Sequence, residues 1–535
     1  MRPQTSILVL FSTLLLSGTA AYAADDIQPA PNAYDWTGFH VGVGAGLGGA
    51  SHNAGAEIYN RDLGGLIQVG PIDLFSIGAM LDVGGDGYLG TIEGGYDYQI
   101  GDRFVIGIQG DYTWSNIDAT GGINGDVCYE DFPTPGPGDD CDTATVSDSP
   151  SIDYSLTAKN SWSVLGRAGF VVNPGSLAYG LGGFTRTHME GNLSLTSLDT
   201  GTVPLSSYDY DRDGWTVGGG IEALISGAMS MKLEYRRTQW DSSNNYPIPI
   251  GADAGINTWD DAAIHTIRGV LSYRFGGGSA EQQAAVDAIP AVDWTGFHVG
   301  ASGGFSTVRH NAGIEVHDYN TGGLLQVGPI DLFKIGGDLD FGGEGMIGRL
   351  DAGYDMQFGD RLVVGLVGDY TFSNTKSQVG LFGDYCLEGV ETVPGPGADD
   401  CDNAVTTASG DLTYTLHTGN SWSVGGRAGV LLNPQTLFYG LGAFTRTKMD
   451  ADITLNTGYA PIGSEELLSY SYDRDGWTFG FGMETMVSEN LSAKLEYRNT
   501  KWTDNELYGD AIQGFSRSED SNVQSFTTGL SWRFN

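Results

Sequence analysis

The chain has 535 residues, of which 83 are glycine and 17% are charged, and its formal net charge at pH 7 is −40. Such an acidic chain lacks the basic surface that nucleic-acid-binding proteins use, and so few charges exclude a charge-rich helical protein. Average glycine usage is about 7%. Here the glycines lie within alternating apolar stretches, which excludes a disordered low-complexity chain.

The first residues have the pattern of a secretory signal. A charged start at Arg2 precedes an apolar stretch, Ile7–Leu16, and Ala21-Tyr22-Ala23 forms a small-residue cleavage site. We therefore expect cleavage between Ala23 and Ala24, a signal peptide over residues 1–23 and a periplasmic segment over residues 24–35. A buried N-terminal helix is the alternative.

Four cysteines form two closely spaced pairs, each bracketing a Pro-Gly-Pro-Gly stretch followed by acidic residues. The pairs are Cys128 with Cys141 and Cys386 with Cys401. Because an exported chain meets an oxidising compartment, each pair is expected to form a local disulfide. A metal site is the alternative, but two cysteines without a histidine between them do not make a zinc site.

One unit is written twice in the chain, with a period of about 260 residues that excludes a small-repeat solenoid. The octapeptide DWTGFHVG at residues 35–42 returns at 293–300, and QVGPIDLF at 68–75 returns at 326–333. The small and polar stretch between the copies predicts a periplasmic linker over residues 276–293. The two copies are then barrel 1, residues 36–275, and barrel 2, residues 294–535.

Hydrophobicity alternates with a period of two along each copy, as in Phe104, Ile106 and Ile108 against Gln109 and Asp111. Each copy has eight such segments of about ten residues, the length of a tilted membrane-spanning strand. Short turns alternate with long segments, and in copy 1 we expect loops over residues 48–87, 116–153, 190–209 and 241–262.

These patterns predict an all-β fold, a transmembrane antiparallel up-and-down barrel. We expect two tandem eight-stranded barrels, with one sixteen-stranded barrel as the alternative. A soluble lipocalin-like barrel is disfavoured because its apolar face would point inwards.

The polar face of the copy 1 strands carries charges of both signs. An eight-stranded barrel has room only for its own side chains, so we expect a lumen filled by ion pairs, with a proton or ion pathway as the alternative. The predicted lumen charges are Glu93, Asp97, Asp111, Arg167, Glu222, Lys232, Glu234, Arg236, Arg268 and Arg274.

The last strand ends in Gly529, Trp532 and Phe534, a pattern that resembles the signal read by the bacterial outer-membrane assembly machinery. The extra Asn535 departs from that pattern.

Each copy resembles the outer-membrane β-barrel (porin family, outer-membrane immunogenic) proteins of alphaproteobacteria, which share the OmpA-like eight-stranded barrel. The motifs that carry the resemblance include WTGF at 36–39, GDRF at 101–104, GRAG at 166–169 and KLEY at 232–235. It implies a Gram-negative outer membrane, a structural or surface-antigen role, and no cofactor. We also expect contact with outer-membrane lipid and lipopolysaccharide and with the assembly machinery. The duplication and the cysteine-bearing second loop depart from the family.

The sequence contains little evidence for a catalytic or metal-binding site. Asp209–Gly214 imitates the start of a calcium loop, but its twelfth position is Gly220, where a bidentate glutamate is needed. We predict no catalytic, metal or cofactor site and no nucleic-acid partner.

The apolar segment at residues 65–78 is expected to pack over the barrel mouth or to contact a partner. The predicted function is structural and surface-presenting, with a diffusion porin as the alternative.

Overall fold

The structure is a computed structural model that describes most of the chain. The described residues are 34–60, 67–69, 72–74, 76–129, 149–197, 201–240, 243–244, 248–249, 254–318, 325–327, 330–387, 408–457, 463–502, 505–507 and 513–534. The predicted signal peptide and its cleavage site lie outside them. No helix in these ranges is long and apolar enough to cross a membrane.

Nearly all of the described chain forms strands. Copy 1 contains β1 (Gly38–Asn60), β2 (Ile67–Val69), β3 (Ile72–Leu74), β4 (Ser76–Ile100), β5 (Phe104–Tyr129), β6 (Ser151–Asn173), β7 (Ser176–Ser197), β8 (Gly201–Leu224), β9 (Met229–Trp240), β10 (Ser243–Asn244), β11 (Ile248–Pro249) and β12 (Ala254–Arg274). One helix follows, α1 (Ala280–Asp287). Copy 2 contains β13 (Gly296–Asp318), β14 (Leu325–Val327), β15 (Ile330–Phe358), β16 (Leu362–Ser373), β17 (Thr375–Leu387), β18 (Ala408–Asn433), β19 (Thr436–Asn456), β20 (Ser464–Met486), β21 (Leu491–Trp502), β22 (Asn505–Leu507) and β23 (Gln513–Phe534).

Each copy closes on itself as an antiparallel barrel. In copy 1 the ring runs β1, β4, β5, β6, β7, β8, β9, β12, and β12 returns to β1 with Val43 opposite Leu271. In copy 2 it runs β13, β15, β16 with its continuation β17, β18, β19, β20, β21, β23, and β23 returns to β13. The predicted fold of two tandem eight-stranded barrels is therefore confirmed.

Side chains alternate between the inside and the outside of each barrel. Along β5, Val105 and Gln109 are 1% exposed, whereas Ile106 and Ile108 are 50% and 58% exposed. The exposed apolar positions run from Phe104 to Trp114, a length that matches a tilted bilayer-crossing strand. We call this outward-facing zone the apolar band.

Short turns lie at one rim of both barrels and long connections at the other. Gly101 and Gly359 begin equivalent short turns with φ of 61° and 60°, a left-handed conformation that glycine adopts without a Cβ clash. This end is the short-turn rim, and the opposite end is the long-loop rim.

The predicted loop boundaries were wrong. Residues 48–60 and 76–87 continue β1 and β4, and within residues 116–153 β5 extends to Tyr129 and β6 begins at Ser151. The strands reach 23 residues in β1 and 29 in β15 because pairing continues beyond the apolar band. β1 keeps its partners β4 and β12 there, whereas β4, β5 and β15 gain neighbours from the other copy.

Four strand pairings join the copies beyond the apolar band in the described residues. β5 leaves β4 and pairs with β15 from Gly121 opposite Leu339 to Tyr129 opposite Ile330. β4 pairs instead with β17, where Leu81 lies opposite Val379. We call the strand segments above the apolar band, joined in this way, the shared head.

The repeated QVGPIDLF segments take part in this exchange. Ile72–Leu74 of copy 1 pairs with Tyr385–Leu387 of copy 2, and Ile330–Leu332 of copy 2 pairs with Val127–Tyr129 of copy 1. The cysteine-bearing strand of each copy thus lies beside the repeated segment of the other copy. This pairing accounts for an apolar segment that appears in both copies.

The exchanged strands cross where two equivalent glycines meet. A Cβ on Gly342 would clash with the backbone nitrogen of Gly84, and a Cβ on Gly84 would lie 2.8 Å from the Cα of Gly342. Such separations leave no room for a side chain, so the crossing requires glycine at both positions.

Within the apolar band, the barrels pack side by side through apolar side chains on their outer faces. Leu233, Tyr235 and Ile267 of barrel 1 join Tyr497 and Phe526 of barrel 2 in one buried cluster. Leu233 and Ile267 are 0% exposed, although the alternation predicts that they face outwards. Protein therefore covers this part of the apolar band.

Polar contacts extend the packing to both rims. At the short-turn rim the Asn173 side chain donates to Thr485 Oγ1 at 2.8 Å, and Asn433 donates to the Leu224 carbonyl oxygen at 3.1 Å. Towards the long-loop rim Glu344 of barrel 2 contacts His265 Nε2 of barrel 1 at 3.0 Å. The two barrels therefore form one unit.

The glycine crossing generates a test of the shared head. We expect Gly342→Val to force β4 and β15 apart, so that backbone amides of residues 330–339 exchange hydrogen for deuterium at least about tenfold faster, while those of residues 349–358 keep their protection. Gly90→Val is the control, because a Cβ there meets nothing within 4 Å. Unchanged protection of residues 330–339 in Gly342→Val would contradict the crossing.

Candidate functional site: two charged lumens

The ten charges predicted for the lumen of barrel 1 all lie inside it. They comprise five acidic and five basic side chains, each between 0% and 8% exposed. The two signs balance within the barrel, as a buried set must if unpaired charge is to be avoided.

Arg167 and Arg274 organise the part of the network nearest the short-turn rim. Arg167 Nη1 donates to Asp97 Oδ2 at 3.2 Å, and its Nη2 donates to Glu222. Arg274 Nη2 donates to the same Asp97 oxygen at 3.0 Å. Two carboxylates are thus shared between two guanidinium groups on different strands.

The middle of the lumen contains the other charges. Lys232 Nζ donates to Glu93 Oε1 at 2.7 Å, and Arg236 Nη1 donates to Asp111 Oδ2 at 2.8 Å. Glu234 accepts from the Nε of Arg268 at 2.8 Å. These side chains come from four strands, so the network ties opposite walls of the barrel together.

Barrel 2 contains an equivalent network. Arg427 bridges Asp355 and Glu484, and Arg533 Nη2 donates to Asp355 Oδ2 at 2.8 Å. The ten charges are Arg349, Asp351, Asp355, Asp369, Arg427, Glu484, Lys494, Glu496, Arg498 and Arg533.

One lumen arginine is supplied by different strands in the two copies. Arg268 of barrel 1 lies on β12 opposite Gly46, and the equivalent residue of barrel 2 is Thr527, opposite Gly304. Conversely, Arg349 of barrel 2 lies on β15, and its equivalent in barrel 1 is Thr91.

In both barrels the arginine and the threonine contact each other across β1 or β13. Arg268 Nη1 lies 3.2 Å from Thr91 Oγ1, and Arg349 Nη1 lies 3.4 Å from Thr527 Oγ1. Arg349 reaches Glu496 at 2.9 Å, as Arg268 reaches the equivalent Glu234. The lumen therefore requires a cation at this point, whichever neighbouring strand supplies it.

A layer of hydroxyl groups lies above the charges, towards the long-loop rim. In barrel 1, Thr216 bonds to Thr185 at 2.6 Å and to Thr238 at 2.8 Å. The layer lines a cavity of about 50 Å³, and the equivalent cavity of barrel 2 is about 40 Å³. Each has room for a few water molecules. The alternation of the sequence predicts that these threonines face the lumen, but because they are uncharged they were not among the predicted lumen residues.

Tryptophans close the other end of each lumen. Trp36 and Trp294 are 0% exposed, and the guanidinium carbons of Arg274 and Arg533 lie 5.3 and 4.4 Å from their ring centroids. These distances are in the range of cation–π contacts.

Helix α1, in the predicted linker, reinforces the closed end of barrel 1. Its Val286 joins Tyr34 and Trp36 in an apolar cluster, and the Tyr34 hydroxyl donates to the Gly227 carbonyl oxygen at 2.8 Å. Burial raises the pKa of Tyr34 to about 12. The small and polar composition of residues 276–293 predicts only a linker and does not predict this packing.

Sequence reasoning missed two buried histidines. His40 Nε2 lies 3.6 Å from Asp97, and His298 Nε2 lies 3.7 Å from Asp355. Both belong to the repeated DWTGFHVG segment and alternate with outward-facing Phe39 and Phe297, so their parity alone could have placed them in the lumen.

The other predicted sites lie apart from the lumens. Cys128 is in β5 and Cys386 is in β17, whereas residues 141 and 401 lie outside the described residues, so both disulfides stay predictions. On the last strand, Trp532 and Phe534 face outwards, 47% and 56% exposed. Recognition of Gly529, Trp532 and Phe534 by the assembly machinery also stays a prediction.

The calcium-loop candidate, Asp209–Gly214, is a regular part of β8. Asp213 Oδ2 accepts from Arg186 Nη2 at 2.7 Å, and Asp211 lies 2.9 Å from His188 Nδ1. The hydrogen bond from Arg186 holds the pKa of Asp213 below its usual range. No group of three or more metal-ligating side chains converges within the described ranges.

A closed antiparallel barrel with an apolar outside and ion-paired inside is an integral β-barrel membrane protein. The family described as "Outer membrane protein beta-barrel domain" matches residues 11–275 and again residues 276–534. The chain belongs to this family, as a tandem pair, and is a protein of the Gram-negative outer membrane. In outer-membrane barrels generally, short turns face the periplasm and longer connections face the outside of the cell.

Two relatives are outer-membrane proteins of alphaproteobacteria. The 31 kDa outer-membrane immunogenic protein of Brucella melitensis is 23% identical over 279 residues, which cover 50% of this chain and 98% of the relative. The 22 kDa outer membrane protein of Rhizobium leguminosarum is 29% identical over 171 residues, 29% of this chain and 64% of the relative.

Similar solved structures include the attachment invasion locus protein Ail of Yersinia pestis, at 15% identity and a TM-score of 0.19, covering 45% of this chain and 99% of Ail. A Pseudomonas aeruginosa FadL homologue matches at 12% identity and a TM-score of 0.23, covering 93% of this chain and 91% of the homologue.

The exchanged arginine generates a double-mutant test. We expect Arg268→Thr to lower the free energy of unfolding by about 3 kcal/mol, because it removes one partner of a buried ion pair. Adding Thr91→Arg restores the cation from β4, as in barrel 2, and should recover at least half of that loss. Denaturant unfolding in lipid vesicles measures both.

Arg186→Thr is the control for this cycle, because its ion pair with Asp213 lies on the outer surface of the barrel and its loss should change stability little. A double variant no more stable than Arg268→Thr alone would contradict the equivalence of the two arrangements.

Proposed function

We propose that the protein is a closed outer-membrane anchor that presents the shared head at the cell surface, and not a diffusion pore. The single observation that carries this proposal is the filling of both lumens by balanced ion pairs, between a tryptophan at the periplasmic end and a hydroxyl layer above. A hydrophilic solute would have to break buried ion pairs to pass, at a cost of several kcal/mol for each.

The extracellular strands support a presenting role. They continue beyond the apolar band and pair between the copies, so the connections at their ends start from one hydrogen-bonded scaffold. Loops held on a rigid scaffold are where binding surfaces commonly arise. Adhesion or ligand contact by these connections is part of the proposal.

Contact with lipopolysaccharide belongs to the same proposal. On the outside of barrel 1, Arg186 and Asp213 lie one step above the aromatic pair Phe184 and Trp215, and Arg446 and Asp475 repeat the arrangement in barrel 2. Aromatic girdles mark the membrane interface in outer-membrane barrels, which supports contact between these charged groups and lipid head groups.

Planar-bilayer recording tests the proposal. We expect the refolded chain lacking residues 1–23 to give no steady current at several salt concentrations, while a sixteen-stranded porin in the same bilayers conducts. Heat-dependent migration on gels shows beforehand that the chain is folded. Steady conductance on the nanosiemens scale would overturn the closed-anchor proposal in favour of a porin.

A further inference from the structure

The cavity in the lumen of barrel 1 lies between charged and apolar side chains. Arg236 and Arg268 line it on the side of the ion pairs, whereas Ile117, Trp240 and Ile264 line it from a buried apolar cluster. A group inside this cavity is therefore largely removed from bulk water, where hydrogen bonds and charges act more strongly than at a surface.

Two buried donors that line this cavity have no hydrogen-bond partner among the described residues. They are Nε1 of Trp240 and Nη2 of Arg236, on residues that are 3% and 4% exposed. Arg236 uses its other two nitrogens for Glu234 at 2.6 Å and for Asp111 at 2.8 Å. A buried polar group without a partner is costly, and indole and guanidinium nitrogens can only donate. The cavity therefore suits a ligand that accepts hydrogen bonds.

The hydroxyl layer supplies a third donor. The Thr185 hydroxyl donates to Ser163 at 3.0 Å. Since each hydroxyl has a single proton, Thr185 must accept from Thr216, which lies 2.6 Å away, and the proton of Ser163 is left over. Ser163 lines the cavity, so its hydroxyl can donate to a ligand there.

Barrel 2 repeats the main elements of this arrangement. Nε1 of Trp502 is also buried without a hydrogen-bond partner in the described part of the chain, and Trp502 lines the equivalent cavity together with Arg498. Arg498 uses Nε for Glu496 at 2.7 Å and Nη1 for Asp369 at 2.6 Å, as Arg236 does for its own two carboxylates. The unused indole donor beside an ion-paired arginine is therefore present in both copies.

We propose that each lumen cavity binds a small monovalent anion, a halide such as chloride. A halide accepts hydrogen bonds and does not donate them, which matches the unused N–H and O–H groups. It is close in size to a water molecule, so it fits cavities of about 40 and 50 Å³ that are too small for a large organic anion.

The unused donors favour a halide over water in these cavities. A halide beside Arg236 accepts a charge-assisted hydrogen bond, which is stronger than a neutral one. A water molecule at the same place would also have to find acceptors for its own two protons. Both oxygens of Asp111 already lie within 3.5 Å of an arginine nitrogen. The inference does not depend on the closed-anchor proposal.

Urea unfolding in lipid vesicles tests the proposal. The full chain lacking residues 1–23 is refolded in sodium chloride and in sodium gluconate of equal ionic strength, because gluconate is too large for the cavities. We expect chloride to raise the urea midpoint saturably, by at least about 0.3 M, since a ligand that binds only the folded chain stabilises it. Trp240→Phe/Trp502→Phe retains both rings, removes both N–H donors, and should lose most of this shift.

The matched control is Trp162→Phe/Trp422→Phe, because these two rings face outwards and are 42% and 41% exposed. This variant should keep the full chloride shift, which separates the cavities from general effects of salt. Heat-dependent gel migration shows that both variants are folded. Equal chloride shifts in the two double variants would overturn the proposal.

Anomalous scattering from crystals of the unaltered chain grown in sodium bromide locates the ion directly. We expect a bromide peak within about 3.5 Å of Nε1 of Trp240 and of Nε1 of Trp502, the outer limit of a hydrogen bond. Electron density typical of water, without a bromide peak in either cavity, would overturn the proposal. This measurement needs no substitution, so it decides the question even if Trp240→Phe/Trp502→Phe does not fold.

Discussion

The structure depends on the constraint that a closed eight-stranded barrel leaves space only for its own side chains. Charges that point inwards must therefore find partners inside, and the five acidic and five basic groups of barrel 1 do so across four or more strands. Since each carboxylate lies within 3.5 Å of two cations, removing one side chain affects several contacts. The same constraint explains why Arg349 can replace Arg268 from a different strand.

A second constraint acts between the barrels. Outward-facing apolar side chains suit lipid and protein equally well, and part of the apolar band is used for packing: Tyr235 and Phe526 lie with their ring centroids 5.2 Å apart between the barrels. Hydrogen bonds and ion pairs at both rims fix the relative position of the two copies. In the shared head even the backbone pairing crosses between copies, so the two copies form a single hydrogen-bonded scaffold.

Local sequence pattern predicted much of the membrane-spanning part. The alternation from Phe104 to Trp114 identified both faces of β5, and the same parity placed Arg167 and Glu222 in the lumen. It could not predict that Leu233 faces a second barrel, because lipid and protein select the same residue types. The loop prediction for residues 48–87 failed for a related reason, since β4 continues there on a partner, β17, that lies about 300 residues away in the sequence.

The central claim is that each copy closes on itself, and cross-strand disulfides in a chain lacking its four native cysteines test it directly. Ala45 lies opposite Gly269 in barrel 1, and Gly303, the equivalent of Ala45, lies opposite Thr528 in barrel 2. A sixteen-stranded barrel would instead place Ala45 beside Thr528. We predict that Ala45→Cys/Gly269→Cys cross-links in lipid vesicles and that Ala45→Cys/Thr528→Cys does not. Efficient cross-linking of the second pair, without the first, would contradict closure into two barrels.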